Sequence, residues 1–195
     1  IADEKLEETT ARFSMRIHRI QEMALNQISG EVVIAREKYG SDRIAVCVGS
    51  CDNGTEFSLS GHRIFFETGK FDSDYSIEMQ GADYPSTFVK EKFGLTGPCL
   101  SFSTACSSSG AAIIKGAQLL ASGMADAVIS GGVDIASDTV LLGFGSLEAV
   151  SSEITNPFSA NRSGITLGEG AAFFVMTREN LFGTGIKLLG YGESS

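Results

Sequence analysis

The stretch Leu-Ser-Phe-Ser-Thr-Ala-Cys-Ser-Ser-Ser-Gly-Ala-Ala-Ile-Ile-Lys, from Leu100 to Lys115, narrows the folds open to this chain more than any other. It predicts a short buried strand, a sharp turn and then a helix of small and apolar residues. Gly110, Ala111, Ala112, Gly116 and Ala117 let other backbone come close, so this helix is expected to be buried on all sides at the centre of the fold. Cys106 falls at the turn. Two readings of it stand side by side. A thiol backed by the first free amides of a helix is biased toward thiolate, the form that attacks carbonyl carbon. A free Cys is also often a small buried apolar residue, here packed under a helix start.

Around that stretch the chain alternates between strand and helix signals. Phe13, Ile17, Ile20, Ala24, Ile28 and Val32 recur at steps of three and four, which predicts one amphipathic helix from Phe13 to about Tyr39, closed by Gly40. His18 lies off that stripe and is expected in solvent. Ile44–Ser50 is a continuous apolar run, the pattern of a strand buried on both faces. Residues 55–80 carry Phe57, Phe65, Phe66, Phe71 and Tyr75 without a clean period, so loops and one short helix are expected, with His62 at the surface. Ala82–Phe93 reads as a helix with Pro85 in its first turn, and Pro98–Phe102 as the strand that leads to Cys106. Ala125–Val133 is a second buried run and completes a strand–helix–strand unit, hence a parallel pair with a right-handed crossover. A short helix over 139–144, a polar turn over 156–164, a strand over 170–176 and the start of another at Ile186–Gly190 follow.

Composition removes several function classes. With 195 residues and 43% hydrophobic content the chain can bury a substantial core. A net charge of −9 without a Lys/Arg block argues against a nucleic-acid partner. No apolar run is long enough for a membrane span. The four Cys, without a secretion signal, are expected as free thiols in a reducing, cytoplasmic setting. The chain opens on Ile1, so an N-terminal piece is expected to be missing. No four-ligand spacing supports a metal site around Cys47 and Cys51. The glycines of 164–170 lack the Lys-Ser/Thr of a phosphate loop, and Gly132, Gly143 and Gly145 make no dinucleotide fingerprint, so no cofactor is expected.

Three segments, in order, carry a resemblance: Ser103-Thr-Ala-Cys-Ser-Ser-Ser109, Ser130-Gly-Gly-Val-Asp134 and Asn156-Pro-Phe-Ser-Ala-Asn-Arg-Ser-Gly-Ile-Thr-Leu-Gly-Glu-Gly-Ala171. Together they resemble the β-ketoacyl-acyl carrier protein synthases, condensing enzymes of the thiolase-like superfamily. The resemblance implies an α/β fold: a thiolase-like layered α/β/α arrangement with a mixed, mostly parallel sheet, about half of the usual two-fold repeat. Residues 1–182 would be the N-terminal half with the nucleophile, and 183–195 the start of the C-terminal half. It also implies that Cys106 takes an acyl chain from acyl carrier protein, with its backbone N–H as one oxyanion donor. Condensation with a malonyl thioester would then give a 3-oxoacyl thioester. The family's catalytic His pair and Lys would lie beyond Ser195, and neither His18 nor His62 matches them. By the same resemblance Phe144 falls near an acyl pocket, Glu169 supports the fold by holding Arg162 or backbone amides, and Asn161 and Arg162 share that role. Thr104 would line a two-fold axis, and Pro98–Phe102 would pair with its copy in a homodimer.

Two other readings remain at this stage. One is a non-catalytic partner or scaffold subunit of a condensing-enzyme heterodimer, a type that usually lacks the Cys. The other is a coenzyme A-dependent thiolase-like enzyme. Fatty acid, polyene and polyketide elongation are not separable on these residues.

Overall fold

A computed structural model describes residues 3–6, 9–52, 54–183 and 185–194. Four strands form one sheet: β1 (Ile44–Gly49), β2 (Cys99–Phe102), β3 (Ala127–Asp134) and β4 (Gly170–Thr177), in the order β2-β1-β3-β4. β1 runs parallel to both β2 and β3, and β4 closes the far edge antiparallel to β3. The sheet is therefore mixed and mostly parallel, as expected. All six residues of β1 are buried, which is what its uninterrupted apolar run requires of a central strand.

Helices cover both faces and make three layers. On one face lie α1 (Arg16–Asn26), α2 (Ser29–Tyr39) and α4 (Tyr84–Lys92). They supply Ile17, Ile20, Leu25, Val32, Phe88 and Val89 to a large core that also takes Val46, Val48 and Ile129 from the sheet. On the other face α5 (Ser108–Ala121) packs Ala112, Leu119 and Leu120 against Ala45, Cys47 and Val128, a smaller cluster. α3 (Thr55–Thr68) and α6 (Asp138–Ser146) complete the set.

Five expectations change. The helix predicted over 13–39 is two helices. Gln27 and Ile28 make tight-turn bonds to Ala24 and Leu25, and Ile28 leaves helical geometry (φ −111°, ψ 9°). The apolar stripe hid the break because both pieces bury the same side. Residues 55–80 hold a long helix, α3, rather than a short one. Phe65 packs on the loop that follows the helix (Phe65–Phe71 4.7 Å, Phe71–Tyr75 4.2 Å between ring centroids), Phe66 is exposed and Phe57 alone of its aromatic residues reaches the core, so no regular period shows. α5 is buried along one face only: Ser108, Ala112, Gly116, Leu119 and Leu120 are covered, while Ser109 and Gly110 are exposed. Ile186–Gly190 forms no strand, since Ile186 and Leu189 stand in solvent with no partner strand beside them.

The fifth concerns His18, which is fully buried rather than solvated. α1 is gripped from the side by α4 as well as from below by the sheet. His18 meets Phe13, Tyr84 and Phe88 at 5.2, 5.2 and 5.3 Å between centroids, edge to face. Neither ring nitrogen has a hydrogen-bond partner among the described residues. Burial alone pushes its pKa down to about 3, so the ring is neutral at ordinary pH.

Candidate active site

The site is built where β2 gives way to α5. After Phe102 the chain passes Thr104 (φ −113°, ψ 43°) and enters the left-handed region at Ala105 (φ +52°). A non-glycine residue there costs about 1 kcal/mol or more, so neighbours must hold it. Three serine-centred bonds do so. The Thr104 N–H donates to Ser108 Oγ at 2.9 Å, Ser108 Oγ–H donates to the Ala105 carbonyl at 2.6 Å, and Ser107 Oγ–H donates to the Thr104 carbonyl at 2.7 Å. The Ser/Thr-rich run is thus a set of local clamps.

Two glycines let this turn sink onto the sheet. A Cβ on Gly49, the last residue of β1, would stand 2.3 Å from the Ser108 carbonyl carbon; one on Gly132 of β3 would stand 2.8 Å from Ser109 Cβ. Only bare backbone permits that approach. The result is that Cys106, in the single 3-10 turn Ala105–Ser107 ahead of α5, is exposed. The reading of Cys106 as a small residue sealed under the helix is therefore wrong: the turn lifts it away from the sheet. A cleft of about 460 Å³ lies between the start of α5 and the ends of β3 and β4, with Ser109, Ile113, Gly132, Asp134, Ala172 and Phe174 in its walls. Cys106 itself is not part of that lining.

Asp134, at the end of β3, has a role that the sequence did not reveal. One of its oxygens accepts from the Ser50 hydroxyl (3.2 Å), the Cys51 N–H (2.6 Å) and the Asp52 N–H (3.0 Å), tying the loop after β1 to the site. Asp52 in turn accepts from the Thr55 N–H (3.1 Å) and hydroxyl (2.6 Å) at the start of α3. A carboxylate directly after a strand-ending Gly-Gly-Val was the signal available for Asp134.

The remaining candidates are more remote. Glu169 does not hold Arg162. It receives a forked bond from Arg16 of α1, with Nε to Oε2 at 2.9 Å. This guanidinium holds the Glu169 carboxyl down to about 2. Arg162 donates instead to the Ser159 carbonyl at 3.1 Å, and Asn161 accepts from the Ser159 hydroxyl, so both secure the 156–162 turn that contains them. Phe144 is half-buried on α6. His62 is exposed on α3, where Nδ1 lies 2.8 Å from the Ser58 carbonyl.

Residues 2–181 match the beta-ketoacyl synthase N-terminal domain. The chain belongs to the beta-ketoacyl synthase family. Among curated relatives of this synthase domain, 3-oxoacyl-[acyl-carrier-protein] synthase 2 of Vibrio cholerae is 30% identical over 165 residues, 78% of this chain and 40% of the relative. A putative polyketide beta-ketoacyl synthase 1 of Streptomyces cyaneus is 32% identical over 148 residues, 69% of this chain and 35% of that protein. A ketosynthase (ApeO) solved in complex with its chain length factor (ApeC) from Xenorhabdus doucetiae superposes with a TM-score of 0.81 at 34% identity, over 91% of this chain and 46% of that one. The chain thus spans less than half the length of each of these relatives. The thiolase-like layered fold follows from these matches. Among the described residues no helix is long and apolar enough to cross a membrane.

Proposed function

We propose that this chain carries the nucleophile of a condensing enzyme that extends acyl chains on acyl carrier protein. Cys106 Sγ attacks the carbonyl of an acyl-carrier thioester. The carrier thiolate leaves, and the acyl group stays on sulfur. A malonyl thioester then loses carbon dioxide, its enolate attacks the acyl-Cys106 carbonyl, and the product 3-oxoacyl thioester departs as the Cys106 thiolate is restored. The Cys106 N–H, at the head of α5, serves as an oxyanion donor for both tetrahedral species. Groups that assist decarboxylation come from outside these residues.

The observation that carries this reading is the exposed Cys106 on a left-handed turn clamped directly ahead of α5. Strain held at such a point presents a side chain for reaction rather than packing it. The nucleophile also speaks against a scaffold subunit. A 3-oxoacyl-[acyl-carrier-protein] synthase and a putative polyketide beta-ketoacyl synthase both stand among the relatives, and Phe144 on α6 is the residue proposed to meet the acyl chain. β2 is an edge strand, with one side of its backbone unpaired by any other strand among the described residues. A second synthase subunit pairing along Pro98–Phe102 is proposed to cover it, with Thr104 near the axis.

The test is incubation with acyl thioesters of acyl carrier protein and, separately, of coenzyme A, followed by peptide mass mapping. Acylation at Cys106 from the carrier protein, abolished in Cys106→Ala, is expected. An intact fold with no adduct from either donor would sink the catalytic reading, and transfer from coenzyme A alone would favour the thiolase-like alternative.

A further inference from the structure

A second thiol lies beside the first. β1 and β2 pair with Gly49 opposite Phe102, and the Ser50 N–H donates to the Phe102 carbonyl at 3.0 Å. This brings the chain after β1 alongside the chain after β2. Gly49 meanwhile rests against the Ser108 backbone. Two residues beyond Gly49 comes Cys51; two residues before Ser108 comes Cys106. Both are exposed. The Cys51 backbone is pinned by Asp134 at 2.6 Å, so its position is not left to a free loop. Desolvation and the Asp134 charge push the Cys51 thiol up, a hydrogen bond with Ser108 opposes them, and the Cys106 sulfur is close enough to add to the upward push.

We infer that Cys51 is a resolving thiol for Cys106, so that oxidation by a hydroperoxide ends in a reversible Cys51–Cys106 disulfide. This rests on the reading of Cys106 as the nucleophile. The chemistry balances in two steps. Cys106 thiolate attacks the peroxide O–O bond, which forms Cys106 sulfenic acid and expels an alkoxide or hydroxide that takes a proton from water. Cys51 sulfur then attacks the sulfenic sulfur. The S–O bond breaks, the Cys51 proton leaves with the hydroxyl as water, and the disulfide forms. A thiol that stays protonated, as Cys51 does, does not compete with Cys106 for acyl groups. It reacts once Cys106 has become electrophilic. The disulfide blocks acyl transfer, and it also stops Cys106 from passing to sulfinic acid, which thiols do not reverse. Cys47 is fully buried in the sheet and provides an internal control.

The experiment treats the chain with hydrogen peroxide, blocks free thiols with iodoacetamide and maps non-reduced peptides. A cross-linked pair joining the Cys51 and Cys106 peptides, lighter by two hydrogen atoms than the free thiols, is expected, and dithiothreitol should restore most of the alkylatable Cys106. In Cys51→Ser the same treatment should leave Cys106 as sulfinic acid, with little recovery. Absence of the cross-link in the unsubstituted chain, or equal recovery of Cys106 with and without Cys51, overturns the inference. Neither outcome depends on acyl transfer, which the thioester incubation reads separately.

Discussion

The two faces of the sheet are held by opposite means. The face under α1, α2 and α4 is filled with bulky apolar residues, among them Ile17, Ile20, Leu25, Phe88 and Ile129. It also swallows a His whose ring nitrogens have no hydrogen-bond partner among the described residues. The face under α5 has few large side chains, and its first turn is positioned by glycine contact and serine hydrogen bonds. Bulk tolerates modest change because neighbours can shift. Backbone-on-backbone contact does not, since no rotamer can relieve it. The exposed thiol of Cys106 sits on the face with less bulk, because a side chain presented to solvent cannot also be a core residue.

The largest expected effect lies on the bulky face and is driven by acid. The His18 pKa is about 3 in the folded chain, against 6.5 for an ordinary imidazole. Below 6.5 the unfolded chain binds a proton that the folded chain refuses, so stability is full above 6.5 and falls as the pH drops toward 3. The slope is about 1.4 kcal/mol per pH unit, and the whole window is worth on the order of 5 kcal/mol. Urea denaturation at pH 6 and pH 5 should show this step, and His18→Leu, of similar volume, should flatten it. A slope unchanged by the substitution would mean that this ring does not set the acid limit.

On the other face, Gly49→Ala should cost about 3 kcal/mol or abolish folding, because the added methyl meets Ser108 backbone at 2.3 Å. Thermal unfolding measures the loss. Iodoacetamide labelling of whatever still folds should show a displaced Cys106. A Gly49→Ala chain with unchanged melting and unchanged labelling would refute the idea that backbone contact sets this turn.

A smaller effect joins the two regions. Glu169 precedes β4 and is bonded to Arg16 of α1, both largely covered. Its folded pKa is about 2 against 4.5. The contribution is complete above 4.5 and is lost as the pH falls toward 2. Glu169→Gln should remove about 1–2 kcal/mol at pH 7 by leaving Arg16 with weaker bonds. Denaturant midpoints at pH 7 and pH 3 test it: the cost should shrink at the lower pH.

Much of this architecture was legible in the residue pattern, and the exceptions share a cause. The four observed strands showed in their apolar runs, and the turn at Cys106 in its Ser-Thr-Ala-Cys-Ser-Ser-Ser run. What the pattern did not reveal depends on residues far away in the chain. His18 is buried by Tyr84 and Phe88, whose approach no local period encodes. Arg16 is bound by Glu169, and Cys51 meets the Cys106 turn only through the register of β1 with β2. The break between α1 and α2 escaped because the apolar stripe continues across it. α3 escaped because only Phe57 of its aromatic residues reaches the core, while Phe65 packs on the following loop and Phe66 stands in solvent.

The least effect, and the sharpest contrast with Gly49, is expected at Gly110. This glycine also belongs to the α5 region, two residues into the helix, but a Cβ there meets nothing within 4 Å. Gly inside a helix costs about 0.5–1 kcal/mol relative to Ala through backbone entropy. Gly110→Ala should therefore raise stability by about that amount, read as a higher denaturant midpoint, and leave Cys106 labelling unchanged. If it destabilised the chain as Gly49→Ala does, small size throughout α5 would matter for close packing, and the division between a glycine-seated first turn and an open outer face would not hold.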